Sequence, residues 1–218
     1  MCGGRGIKVT INIPDRLIRP LVALVLFYRR LRFGYPFRKI PLTQGRYAIV
    51  DPDDYPRLAK YKWRICKGKN TLYAERSIRL PSGRYSRILM HRQILENLHV
   101  ISKTHDSKLI AHNSHRRTGD GIVIDHINRR GLDNRRANLR LATVAQNAWN
   151  SKKRNSRSGY KGVWYARDKC LWRAAIVCNR RRIHLGYFRD KHAAARAYDK
   201  AARTHFGEYA VLNFPSHD

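Results

Sequence analysis

The chain has 218 residues, 43% of them apolar, enough for one large or two small buried cores and too many for wholesale disorder. Lys and Arg number 46 against 15 Asp and Glu, a formal net charge of +31. Such an excess repels itself and ill suits a small-metabolite enzyme, so it points to a polyanionic partner, double-stranded DNA first, and not to a membrane.

Residues 1–36 form a basic N-terminal arm around the apolar run Leu21–Tyr28, which is far short of the roughly 20 residues a spanning helix needs. That run begins too far along, and lacks the small-residue cleavage site, to be a secretion signal. Pro20 suits the first turn of a short helix reaching Phe33, stopped by Gly34 and packed on the next domain. The four cysteines show no CxxC pairing, which argues for a reducing, cytoplasmic setting and against structural zinc.

From Ile40 to Leu95 the pattern is strand-like. Tyr47–Val50, Lys62–Ile65, Leu72–Leu80 and Tyr85–Met90 are β-favouring runs, the last two joined at Pro81-Ser82-Gly83, and Asp51–Asp54 opens one or two helical turns. Residues 97–121 lose periodicity and read as a polar surface insertion. It is rich in histidine (His99, His105, His112, His115), and His112 and His115 lack a carboxylate or thiol at metal-ligand spacing.

Ile122–Ile127 is β-rich and carries Asp125 and His126. Turn residues come next, then a short run at Asn138–Leu141, then a helix signalled by Thr143 with Gln146 three later, a capping box. Val144, Ala148 and Trp149 suit its apolar face, leaving Asn147 on another side. Asp125 and Asn147 are hard oxygen ligands suited to one divalent ion, Mg2+ or Mn2+. Neutral His126 is placed to take a proton from water, and Asn138 to orient the imidazole. Neighbouring strand residues face opposite ways, so Asp125 and His126 can share a site only at a bend or strand end. The plain alternative is an ordinary hairpin with a hydrogen-bonded Asp and Asn. No acidic residue occurs between Asp133 and Asp168, while Arg135, Arg136, Arg140, Lys152, Lys153, Arg154, Arg157, Lys161 and Arg167 do, which reads as a phosphate track.

The spacing Asp-His, then Asn twelve after the His and Asn nine later, resembles the HNH nucleases, particularly the one-metal homing endonucleases of phages and bacterial mobile elements. The resemblance implies metal ligands at Asp125 and Asn147, a general base at His126 and an orienting Asn138. Leu42-Thr43-x-Gly45, Val50-Asp51, Tyr61-x-Trp63 and Met90-His91-Arg92 look like the N-terminal part of the same enzymes. The insertion before Asp125 departs from them.

After the linker Asn155–Gly159, three alternating runs and an alanine-rich helix begun by Asp190 and ended by Gly207 give a sheet with one covered face. The other face carries Lys161, Trp164, Arg173, Arg182 and His184, suited to the DNA major groove. Tyr160-Lys161-Gly162-Val163, Trp172-Arg173-Ala174, Leu185-Gly186-x-Phe188 and Leu212-Asn213-Phe214-Pro215 resemble the plant ethylene-response-factor (apetala-type) DNA-binding domain, which implies that those five residues face DNA. Trp164, Ala166, Ala175, Val177 and His184 depart from its base-reading pattern, so no target sequence carries over.

The expected fold class is α+β. Residues 37–153 form a ββα-metal (HNH) nuclease domain with a β-rich N-terminal part and a core motif at 122–152. Residues 154–218 form a three-stranded antiparallel sheet packed on one helix. The expected function is metal-dependent DNA hydrolysis by a homing or mobile-element nuclease, its oligomeric state left open. The rivals are a non-catalytic DNA-binding regulator with a vestigial nuclease fold, and a structural or RNA-binding protein.

Overall fold

The structure, a computed structural model, describes residues 15–68, 70–96, 121–151 and 157–215. The polar insertion, Lys152–Arg154 and Cys2 therefore lie outside the described residues. Among those described, no helix is long and apolar enough to cross a membrane.

Helix α1 (Asp15–Phe33) begins earlier than expected, with Pro20 inside it instead of in its first turn. Gly34 closes it in the left-handed region, its N–H donating to the Arg30 carbonyl. From Ile18 on, only a narrow line (Val22, Leu26, Arg29) is half-buried, the i, i+4, i+7 spacing of one helical edge. Leu21, Leu24, Phe27 and Leu31 stay exposed.

Strands β1 (Arg38–Pro41) and β2 (Tyr47–Val50) pair antiparallel and lead to a single turn of helix, α2 (Tyr55–Leu58). Strands β3 (Arg64–Lys67), β4 (Leu72–Arg79) and β5 (Tyr85–Leu89) form an antiparallel meander in that order. Gly83, at positive φ, makes the β4–β5 turn. The chain then turns directly into α3 (Met90–Glu96), where a strand end was expected at Met90. The reason is packing: Met90 and Ile94, one turn apart, both sink into the core beside Ile40, Val50, Leu58 and Trp63. Truncating any of the fully buried Ile40, Leu58, Met90 or Ile94 to Ala costs about 2–5 kcal/mol.

Strands β6 (Ile122–His126) and β7 (Leu139–Thr143) pair antiparallel and run into α4 (Val144–Trp149). The capping box forms: Thr143 Oγ1 accepts from the Gln146 N–H, and Gln146 Oε1 accepts from the Thr143 N–H. Leu139 anchors this hairpin to the first core. Its long connection is tied down at Gly131, whose missing side chain lets the backbone press on Leu72, 2.5 Å from where a Cβ would meet the carbonyl oxygen.

The last part of the chain has a separate core. Strands β8 (Val163–Ala166), β9 (Leu171–Cys178) and β10 (Arg181–Phe188) form an antiparallel sheet with β9 central, and α5 (Lys191–Phe206) covers one face. Asp190 accepts from the Ala193 N–H as its N-cap. Ala194, Ala195 and Ala202 are buried, so α5 lies close on Val163, Ala174 and Ile176. The molecule is thus a mixed α/β assembly of several small sheets.

Candidate functional site

β6 ends at His126, where the Arg129 N–H folds back on its carbonyl. Asp125 and His126 therefore meet at a strand end and face opposite ways. Asp125, 4% exposed, faces α4: Asn150 Nδ2 donates to both carboxylate oxygens at 2.8 Å, and Arg140 Nε donates to Oδ2 at 3.0 Å. His126, 5% exposed, faces β4 and α3. Its ring stands edge-on to His91 at 4.9 Å and tilted to Tyr73 at 5.8 Å.

Burial lowers the pKa of His126 from the usual histidine value, partly opposed by Asn134, Asp125 and Asp133, so the ring is neutral near pH 7. Burial pushes His91 down further, helped by the neighbouring His126 and Arg92.

Asn138, expected on the imidazole, lies elsewhere. Its Oδ1 accepts from the Asn128 N–H at 2.9 Å and its Nδ2 donates to the Asp133 carbonyl at 2.7 Å, so it closes the loop. The side chain beside the imidazole is Asn134, whose Oδ1 sits 3.4 Å from His126 Nε2. Asn134 is placed by a parallel bridge that ties the loop to β2, its N–H donating to the Ile49 carbonyl. That long-range pairing leaves no local sequence signal.

Asn147 is exposed and has no hydrogen-bond partner for its amide among the described residues. It lies one turn before Asn150 on the same edge of α4, the edge that meets Asp125. Among the described residues no group of three or more His, Cys, Asp or Glu gathers, and the expected pair, Asp125 and Asn147, would offer one carboxylate and one amide oxygen. Asp125 Oδ1 accepts a single hydrogen bond and so keeps a lone pair. A hard, oxygen-loving ion that keeps several waters fits this sparse set, and zinc does not.

Three arginines of the expected phosphate track are occupied. Arg135 pairs with Asp133 at 2.7 Å, Arg136 with Asp54 at 2.9 Å, and Arg140 with Asp125. Burial alone would raise the Asp54 carboxyl, but hydrogen bonds from Arg136 and Arg57 hold it below the usual range. Buried carboxylates need cationic partners, and these arginines are theirs. Arg157 and Arg167 remain exposed.

On the open face of the β8–β10 sheet the structure brings Trp164, Arg173, Arg182 and His184 together. Trp164 and Arg173 are cross-strand partners, and the Arg173 guanidinium lies 5.3 Å from the Trp164 ring. Arg182 lies 6.0 Å from the same ring, and Arg173 Nε donates to His184 Nδ1 at 3.3 Å. Tyr187, which sequence reasoning missed, joins them 4.7 Å from His184 because β10 carries a bulge between His184 and Gly186. Lys161 leaves this set: its ammonium donates to the Trp149 carbonyl at 2.6 Å, at the end of α4. Burial, with Arg129 nearby, brings its pKa down to about 8.

Residues 116–149 match the family model of the HNH endonucleases. Over 170 residues the chain is 26% identical to an uncharacterized HNH endonuclease of Acanthamoeba polyphaga mimivirus, covering 78% of this chain and 76% of that one. Protein 3.8 of Escherichia phage T7 is 36% identical over 58 residues, 26% of this chain and 48% of the phage protein. An AP2/ERF and B3 domain-containing protein of Oryza sativa subsp. japonica is 47% identical over 58 residues, which is 27% of this chain and 16% of the plant protein. The phage and plant likenesses thus span less than half the length of those relatives.

Proposed function

We propose that the chain is a divalent-metal-dependent endonuclease that hydrolyses phosphodiester bonds of double-stranded DNA, directed to its target by the C-terminal sheet. The observation that carries this reading is the strand end of β6. There a buried neutral imidazole and a carboxylate are neighbours, and Asn150, the C-cap of α4 and one turn beyond Asn147, closes over the carboxylate. The HNH family match and the mimivirus relative support it.

Asp125 and Asn147 hold the ion, Mg2+ or Mn2+, as two oxygen ligands. When bound, the ion supplies stabilisation of the negative charge on the phosphate and on the leaving 3′ oxygen. His126 is the general base. An acceptor oxygen at Nε2, from Asn134, selects the tautomer with its proton on Nε2 and leaves the Nδ1 lone pair to take a proton from water. Asn138 holds the loop that carries Asn134.

The open face of Trp164, Arg173, Arg182, His184 and Tyr187 is the targeting surface. It offers guanidinium groups with fixed aromatic neighbours to base edges or phosphates. The short plant matches support a sequence-reading role for it, and the pairing of such a module with an HNH domain supports a homing or mobile-element nuclease. Residues 1–36, 37–153 and 154–218 are the corresponding arm, nuclease domain and DNA-binding domain.

The test is supercoiled plasmid incubated with the pure protein and Mg2+, with and without EDTA. Nicking that EDTA abolishes is the expected result. DNA binding without any cutting, with Mg2+ or Mn2+, overturns it in favour of a DNA-binding regulator.

A further inference from the structure

Arg140 lies on β7, 12% exposed at its side chain, and reaches in two directions. Inward, its Nε donates to Asp125 Oδ2 at 3.0 Å. Outward, its Nη1 donates to the Glu208 carbonyl at 3.1 Å and approaches Glu208 Oε2 at 3.4 Å, while its guanidinium lies 3.8 Å from the Tyr209 ring. Glu208 and Tyr209 belong to the turn that ends α5, the helix that carries the C-terminal sheet. One guanidinium therefore touches both the carboxylate of the nuclease centre and the DNA-binding module.

Three further contacts cross the same junction. Tyr209 donates its hydroxyl to the Leu141 carbonyl at 3.3 Å. Trp149, at the end of α4, stacks on Phe206 at 4.4 Å and 13° between planes. Lys161, at the start of the C-terminal sheet, donates to the Trp149 carbonyl. α4, the helix of Asn147, is held at its C-terminal end by the other module. A flexible tether needs none of this, since a linker alone would keep the two parts on one DNA molecule.

We propose that Arg140 is a positioning residue that registers Asp125 against the C-terminal module, so that nuclease centre and sheet move as one body. The break then falls at a fixed distance from the sequence the sheet binds. This inference rests on the endonuclease reading for its consequence, though not for its geometry. A planar guanidinium with five donors is the side chain that can serve a carboxylate, a carbonyl and an aromatic face together, and lysine cannot.

The test compares the full chain with its Glu208→Ala/Tyr209→Ala double variant, neither residue being part of the cutting or metal-holding set. Each is incubated with Mg2+ and linear duplexes carrying a randomised centre, and both the retained and the cut fragments are sequenced. The expected result is one enriched sequence for both proteins, with breaks at one distance from it for the parent and spread over several nucleotides for the variant. Breaks at the same single distance in both overturn the proposal. A merely structural contact would lower total cutting without moving the breaks. Amide hydrogen exchange at Ala210, whose N–H donates to the Gly207 carbonyl, supplies a readout that needs no cutting. Arg140→Gln should raise exchange there about tenfold, the scale of one lost charge-assisted hydrogen bond, and unchanged exchange overturns the coupling. A parent that cuts no DNA defeats the endonuclease reading alone, and the exchange result still decides the junction.

Discussion

The ring of His91 stands edge-on to that of His126, centroids 4.9 Å apart and planes at 89°, with both imidazoles buried. Neither ring can be protonated without placing a charge beside the other in a dry site. Because burial holds His91 below its unfolded value, the unfolded chain binds the proton first as pH falls. Stability is therefore complete above about pH 6.5 and declines below it, by at most about 1.4 kcal/mol per pH unit for each such histidine. Urea denaturation between about pH 7.5 and pH 5 measures this. His91→Phe, which keeps a ring there but is bulkier, should flatten the decline while costing about 1–3 kcal/mol at neutral pH.

His126→Ala leaves a cavity beside His91 and Tyr73 and so should lower stability, yet it should keep DNA affinity and lower plasmid nicking by roughly 10²–10⁴, the contribution of a positioned general base. Equal nicking by variant and parent, abolished in both by EDTA, would move the catalytic centre elsewhere.

Asp125 and Asn147 should differ in kind. Asn147→Ala touches an exposed amide, so stability should hold while activity demands more Mg2+. Asp125→Ala also strands Arg140 and Asn150, and removing one partner of a buried pair costs about 3–5 kcal/mol. Thermal unfolding read alongside nicking separates the two effects.

Asn134→Ala and Asn138→Ala divide positioning of the base from loop closure. Asn138→Ala loses two hydrogen bonds within the loop and should destabilise by about 1–3 kcal/mol. Asn134→Ala should shift the pH–rate profile of cleavage, because it frees the choice of tautomer at His126. Identical pH profiles for the Asn134 variant and the parent would remove Asn134 from that role.

DNA binding should weaken steeply with salt, the log–log slope being roughly −0.9 per phosphate contacted. Arg182→Ala, on the exposed face, should flatten the slope by about 1 if it meets a phosphate, or cost about 1–3 kcal/mol at one base position if it reads a base. Arg136→Gln should leave the slope unchanged, since its guanidinium is already committed to Asp54. Fluorescence anisotropy across a salt series distinguishes these outcomes.

Much of this was legible wherever the determinant is local. The Thr143–Gln146 capping box, the Asp190 cap, the Gly207 stop and β2 at Tyr47–Val50 are set by neighbouring residues, and they appear where the sequence places them. The rest depends on partners distant in the chain. Nothing near Arg136 says that Asp54 lies opposite, and nothing near Asn134 says that Ile49 will hold its backbone. For the same reason Lys161 read as a DNA contact. Its side chain is in type a good phosphate ligand, and only the packed end of α4 gives it another use.

The bulge in β10 bears on how long this strand can be. Leu185 is the extra residue: His184 stands opposite Ala175 and Gly186 opposite Ala174, so alternation skips one position there. Losing a residue of the strand beyond the Leu185-Gly186 pair would turn everything after it over, whereas a loss within the pair keeps Phe188 under the helix and Tyr187 on the open face. A chain one residue shorter at that point would form a regular strand with His184 and Tyr187 still on the open face, forgoing only the packing of one leucine. The sheet can thus vary in length at a single place without changing what it presents, and length differences there carry no information about what is bound.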